Sequence, residues 1–300
     1  MRRIKLTVAY DGTNYCGWQI QPNGITVQEV LNKALMDLLG TEIRTTGASR
    51  TDSGVHARGN VAVFETDARM PAERFAFALN TYLPPDIRIQ GSEEVPEAFH
   101  PRFTSTIKTY EYKILHRVFP DPTRRLDHLF CYGTMDVEAM RRALACVVGE
   151  HDFKSFQGAG GETSTHTTVR TIYHAEILQE PIEELRTTLR WKGQSPGPGE
   201  EADRKQVPAV QTGKPSSKGG AITPEKAEEY VLHIRITGNG FLYNMVRILA
   251  GTLLEIGRGN LRPEDMARIL EARDRSAAGP TAPAHGLTLL SIRYPEWEEF

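Results

Sequence analysis

A chain of 300 residues, 39% hydrophobic and 25% charged with a net charge of −2, is long enough to bury one large core or two joined halves. Its three cysteines, Cys16, Cys131 and Cys146, are an odd number without Cys-x-x-Cys spacing, which argues against a disulfide framework or zinc site and for reduced thiols in a cytoplasmic protein. Met1-Arg2-Arg3 leads into an alternating strand rather than an apolar leader, and no apolar run is long enough to cross a bilayer, so a soluble, unexported chain with no membrane partner is expected.

In chain order, Ile4, Leu6 and Val8 alternate with Lys5, Thr7 and Ala9 as in a half-buried strand, which Asp11-Gly12 ends. A helix follows, opened by the capping box Thr26 and Glu29 and closed by Gly40, with Val27, Val30, Leu31, Ala34, Leu35 and Leu38 on one face. Strands are expected at 42–47 and 59–65, a helix from Pro71 to about Asn80, and strands at 86–92 and 103–115. Beyond these, the pattern predicts a helix from Asp136 to Val148, strands at 167–178 and 229–237, helices at 241–256 and from Pro263, and a strand at 287–293. Several strands follow one another without an intervening helix, which favours an α+β fold with a mixed, largely antiparallel sheet over a doubly wound parallel one. Residues 181–228 are rich in Gly, Pro, Ser, Lys and Glu, cannot bury a core, and read as a mobile insertion with strand-like character only from Leu185 to Trp191.

The overall charge gives no support for a polyanionic partner, since Lys and Arg supply most of the affinity for RNA phosphates. Residues 99–128 are locally basic, however, with Arg102, Lys108, Lys113, Arg117, Arg124 and Arg125 against Glu111, Asp121 and Asp127. A basic groove on a slightly acidic body and an ordinary mixed surface both fit.

The segment Ser49-Arg50-Thr51-Asp52-Ser53-Gly54-Val55-His56-Ala57 concentrates chemically useful groups. On extended backbone, Arg50 and Asp52 project to one side and can meet as a charge-assisted pair that keeps Asp52 ionised. Gly54 permits a tight turn, and His56 and Arg58 follow where a polyanion could be held. On the residues alone, a solvated turn with a weak surface ion pair is the favoured reading.

The stretch from Gly47 to Ala57 resembles the catalytic loop of the tRNA pseudouridine synthase A family, and further stretches match that family in the same order. They include Tyr10-Asp11-Gly12 with Gly17-Trp18-Gln19, Asn80-Thr81-Tyr82-Leu83-Pro84, Phe99-His100-Pro101-Arg102-Phe103, Lys108-Thr109-Tyr110-Glu111-Tyr112, Gly149-Glu150-His151-Asp152-Phe153 and Asn239-Gly240-Phe241-Leu242-Tyr243-Asn244-Met245-Val246-Arg247. The resemblance implies the pseudouridine synthase fold: two similar halves, here 1–105 and 106–300, that share one sheet around a central cleft. It further implies isomerisation of uridine to pseudouridine at tRNA positions 38, 39 and 40 of the anticodon stem-loop, by a cytoplasmic homodimer with no cofactor and no metal. By similarity Asp52 is the catalytic nucleophile, with attack at C1′, addition at uracil C6 and abstraction of the ribose 2′ proton all open. Arg50 and Arg247 match family arginines, one entering with the flipped nucleotide and one pairing the aspartate, and both are expected to depress the Asp52 pKa. Tyr110 matches the family tyrosine that stacks on the target uracil, although alternation places Tyr112 on the same face. For His56, a structural role and a phosphate contact weigh equally.

Two other readings compete. Gly238-Asn239-Gly240 between a strand and a helix imitates the dinucleotide turn of a nicotinamide-dependent oxidoreductase, but Tyr243 occupies the third glycine position. A non-catalytic RNA-binding protein could instead use tyrosines exposed on a sheet, leaving Asp52 incidental. A glycosidase lacks its second carboxylate near Asp52, and Ser53, His56 and Asp52 are too crowded in sequence for a triad.

Overall fold

The structure, a computed structural model, describes residues 1–160, 167–182 and 229–297. The first strand β1 (Arg2–Tyr10) buries Ile4, Leu6, Val8 and Tyr10 on one face, as its alternation predicts. Helix α1 (Val27–Leu39) packs Val27, Leu31, Ala34 and Leu35 inward. Its N-cap Thr26 accepts a hydrogen bond from the Glu29 backbone, and Gly40 closes it in the left-handed conformation. The strand expected at 42–47 shortens to β2 (Thr46–Gly47), which pairs with β3 (His56–Thr66). Helix α2 (Arg74–Leu79), β4 (Ile87–Val95) and β5 (Ile107–His116) follow where periodicity placed them.

The later elements are β6 (Leu129–Cys131), α3 (Val137–Ala145), β7 (Gly149–Asp152), β8 (Val169–Pro181), β9 (Tyr230–Gly238), α4 (Met245–Gly257), α5 (Asp265–Ala272) and β10 (Leu287–Arg293). β6 and β7 were not expected, being too short to show alternation. Helix α4 starts at Met245 rather than 241, because Asn244 adopts a left-handed backbone that ends the preceding loop. β8 extends through Pro181, which pairs with Tyr230, so the expected insertion boundary at 181 falls inside a strand. The composition-based reading of 183–228, including the strand-like stretch from Leu185 to Trp191, lies outside the described residues.

All the strands among the described residues belong to one sheet in the order β4-β1-β3-β10-β5-β9-β8-β7, with β2 added beside β3 and β6 beside β5. Among the described residues only β10 with β3 and β6 with β5 run parallel, so the fold is α+β with a largely antiparallel sheet, as expected. β10 lies between β3 and β5, and pairs Thr288 with His56 and Leu289 with Tyr110. It therefore joins strands from residues 2–95 to strands from residues 107–238. A continuous core runs from Ile4 and Phe64 through Leu289, Tyr112 and Ile234 to Leu249 and Met266. Both neighbours of β9 are antiparallel to it, which removes the βαβ context a dinucleotide turn at 238–240 requires.

Candidate active site

Asp52 sits in the loop that joins β2 to β3, and hydrogen bonds from three directions hold that loop. Asn60, fully buried, donates from Nδ2 to the Ser49 carbonyl (3.1 Å) and to the Tyr10 hydroxyl (3.2 Å). Tyr10 shares a 2.7 Å hydrogen bond with the Thr51 hydroxyl. The Trp18 amide donates to the Thr51 carbonyl (3.1 Å), and the Gly54 amide to the Tyr15 carbonyl (3.3 Å). From the other half, Lys108 Nζ donates to the Ala48 carbonyl (3.1 Å), and Tyr110 shares a 2.9 Å hydrogen bond with the Ser49 hydroxyl. Gly12 allows the first loop to lie against this one, since a Cβ there would stand 2.0 Å from the Val55 carbonyl oxygen. Gly54 has φ of 77°, the turn geometry its position called for.

Arg50 and Asp52 do not pair. Arg50 is exposed and makes no hydrogen bond or ion pair with a described residue. The partner of Asp52 is Arg247, from the first turn of α4, with Nη1 3.3 Å from Asp52 Oδ2. Both side chains are largely enclosed, Arg247 17% and Asp52 18% exposed, so their attraction is less screened than that of a surface pair. The expectation of a depressed Asp52 pKa is also corrected. Burial pushes the carboxyl above its ordinary value, and Arg247 only partly offsets that rise.

Tyr110 and Tyr112 share a face, as alternation required, but have different surroundings. Tyr112 is fully buried and donates to the Pro283 carbonyl (2.8 Å). Tyr110 lies beside the Asp52 loop, bonded to Ser49, with its ring edge-to-face against Phe241 at 5.1 Å between centroids. Burial, with the nearby Asp52 charge adding to it, pushes its phenol up to about 12, so it is protonated at neutral pH. Neither tyrosine is exposed as a sheet-surface RNA binder would need.

His56 is structural. Its Nδ1 lies 3.1 Å from both the Gly12 amide and Asp11 Oδ1, and its Nε2 faces the carbonyls of Leu126 (2.9 Å) and His285 (3.0 Å). Much of the basic segment is likewise committed. Lys113 pairs with Asp127, Arg124 with Asp121, and Arg117 with both Asp121 and Glu229. Lys108 is held near the loop with its pKa lowered to about 8, by burial and then by the charges of Arg102 and Arg170. Sequence reasoning gave no role to Asn244, whose Oδ1 accepts a 2.8 Å hydrogen bond from Arg247 Nη1. The signal was present, because residues three apart at a helix start are neighbours.

The arrangement offers one half-enclosed carboxylate beside a fixed cation, a protonated phenol and an exposed arginine. A family model described as tRNA pseudouridine synthase matches residues 6–104 and 143–295. The chain belongs to this family. Relatives named tRNA pseudouridine synthase A span nearly the whole of it. The one from Geobacter sp. (strain M21) is 42% identical over 297 residues, covering 99% of this chain and all of the relative. That from Ruminiclostridium cellulolyticum is 40% identical over 294 residues, covering 98% and 100%, and that from Exiguobacterium sp. (strain ATCC BAA-1283 / AT1b) is 39% identical over 294 residues, covering 98% of each. The family-model match contains three residues of the expected site, Arg50, Asp52 and Arg247, whereas Tyr110 falls between its two segments and lies only within the span of the relatives' near-full-length alignments.

Proposed function

We propose that this protein isomerises uridine to pseudouridine in the anticodon stem-loop of tRNA, at tRNA positions 38, 39 and 40, with Asp52 as the reacting carboxylate. The reaction breaks the bond from ribose to uracil N1, turns the base and rejoins it through C5, releasing the C5 proton. N1, freed from the ribose, takes up a proton as C5 loses one, so the product is an isomer of the substrate. The chain supplies a carboxylate at the ribose or ring and somewhere for the C5 proton to go, and the observation that carries the reading is Asp52 held in a half-enclosed position by Arg247.

Each neighbouring residue has a role. Arg247 stabilises the ionised form of Asp52 against its burial. Tyr110, beside the Asp52 loop and packed against Phe241, gives the extruded uracil an aromatic ring and a hydroxyl. Arg50, exposed beside the loop, enters the gap the base leaves. Extrusion costs a few kcal/mol, and stacking on an aromatic ring returns about 1–3 kcal/mol, so one tyrosine and one arginine are enough to make the flipped state accessible. The protein acts in the cytoplasm as a homodimer that holds one tRNA across both subunits, as its resemblance to the family implies.

The test is an assay of bulk tRNA lacking this modification, labelled with tritium at uracil C5, with no added metal or nucleotide. Tritium release, with pseudouridine mapped to positions 38, 39 and 40, is the expected result. Release that maps elsewhere corrects the substrate site, and no release refutes the activity. Light scattering is expected to give the mass of two chains.

A further inference from the structure

We propose that Asn244 is a positioning residue that tethers the Arg247 guanidinium, so that it supports Asp52 through one oxygen and leaves the other open to the substrate. The proposal rests on the reading of Asp52 as the reacting group.

Asn244 departs from its expected conformation in two ways. It has φ 58° and ψ 6°, and Arg273 is the only other non-glycine residue with positive φ among the described residues. Such a backbone is unfavourable for an ordinary L-residue and less so for asparagine, whose short polar side chain tolerates it. It also occupies the N-cap of α4, where an asparagine oxygen ordinarily accepts from a backbone amide of the first turn. No such bond forms here. The oxygen is turned to Arg247 Nη1 instead, at 2.8 Å, and because a guanidinium only donates, it is the oxygen of the amide that faces it. A strained backbone and a forgone cap thus coincide with one side-chain contact, at a site next to Asp52.

The distances around Arg247 give that contact its meaning. Its Nε donates to the Ala282 carbonyl at 2.8 Å and its Nη1 to Asn244 at 2.8 Å, whereas Asp52 stands at 3.3 Å. Charge-assisted arginine–carboxylate bonds are ordinarily about 2.7–2.9 Å and frequently bidentate. Two neutral oxygens therefore hold the cation more closely than the carboxylate does. Ala282 is itself fixed to the helix, since its amide donates to the Arg247 carbonyl at 3.1 Å. The result is a single long contact through Asp52 Oδ2, and Oδ1 accepts no hydrogen bond from a described residue. Without the Asn244 oxygen, the guanidinium is free to close on both carboxylate oxygens, which would lower the basicity of Asp52 and cover the atom meant for the substrate.

The decisive variant is Asn244→Gly, which accepts the left-handed backbone without strain and lacks the acceptor. It is expected to keep the wild-type Tm or exceed it, to lose about ten- to a hundred-fold in kcat with little change in KM, and to move the acid limb of the kcat/KM profile to lower pH. Asn244→Asp keeps both the oxygen and the tolerance of this backbone, and is expected to recover most of the lost kcat. A glycine variant whose acid limb coincides with the wild type overturns the proposal, as do glycine and aspartate variants with equal losses. Should the glycine variant fail to fold, Asn244→Ser, too short to reach Arg247, is judged by the same acid limb. Asp52→Asn run in parallel separates the two levels. If it retains tritium release, the reading of Asp52 fails, and if it is inactive while Asn244→Gly matches the wild type, only the tether fails.

Discussion

Arg50 and Arg247 both belong to the surroundings of Asp52, one two residues before it in the β2–β3 loop and the other 195 residues after it on α4, and the fold treats them differently. Arg247 gives donors to Asn244, Ala282 and Asp52, and is largely enclosed. Arg50 is exposed, with no partner among the described residues, although it is the nearer of the two in sequence. A tethered cation can only tune the group it faces, whereas a free one can move into a vacancy in the substrate. Proximity along the chain did not decide which arginine pairs the aspartate, because packing α4 against β5 brings a residue from the far end of the chain to Asp52.

The contrast can be broken most severely at its centre. Asp52→Asn is expected to reduce tritium release to background while keeping tRNA affinity in a filter-binding assay. Its effect on stability has a definite sign. Burial raises the Asp52 pKa in the folded state, so the folded chain binds this proton more tightly than the unfolded chain. The stability this group gives is complete below its unfolded pKa and is lost as pH rises through the folded value, so at neutral pH the ionised form is a cost. Asp52→Asn is therefore expected to raise Tm at pH 7 and to show no gain near pH 3, as calorimetry would reveal.

Arg247→Ala is expected to have the next largest effect, about 10²–10³-fold in kcat, in the range seen when one electrostatic partner of a reacting centre is removed. The acid limb of its kcat/KM profile should move to higher pH, because the one charge opposing the upward shift of Asp52 is gone. That is the reverse of the shift expected for Asn244→Gly, so the two variants together show whether distance from the cation governs Asp52. Arg50→Ala should lose about five- to a hundred-fold in turnover, the equivalent of one stacking partner, with Tm unchanged because the side chain touches nothing that the fold needs. A large fall in its Tm would show that Arg50 is structural. The smallest change is expected for Tyr110→Phe, which keeps the ring and loses the hydrogen bond to Ser49, at about 1 kcal/mol of stability by denaturant titration. Tyr110→Ala should be far less active, and equal activity of the two would remove stacking from the account.

The elements whose side chains repeat with a clear period were legible in the sequence. The alternation of β1, the capping box and terminal glycine of α1 and the strand at 287–293 all lie where expected, because local propensity and burial demand the same conformation there. β6 and β7, three and four residues long, were not legible, being held by their partners rather than by any pattern of their own. Of the candidate site, Asp52, Arg50, Tyr110 and Arg247 were named through the family resemblance, whereas their pairing was misread from spacing. The direction of the Asp52 pKa was misread for a related reason. A sequence displays charges but not the desolvation that opposes them, and here desolvation outweighs the one arginine that reaches the carboxylate.

The place of β10 bears on the order in which the protein can be made. A ribosome supplies residues 2–95, with the whole Asp52 loop, long before it supplies residues 287–293, yet β10 is the strand laid between β3 and β5. Until it arrives, the stretches of β3 and β5 that it pairs, His56–Ala57 and Ile107–Tyr112, lack that partner, and the two parts of the chain that carry Asp52 and Arg247 lack the strand that joins them. The nascent chain therefore carries its reactive loop in an incomplete setting through most of its synthesis, with two open strand edges as its exposed hazard.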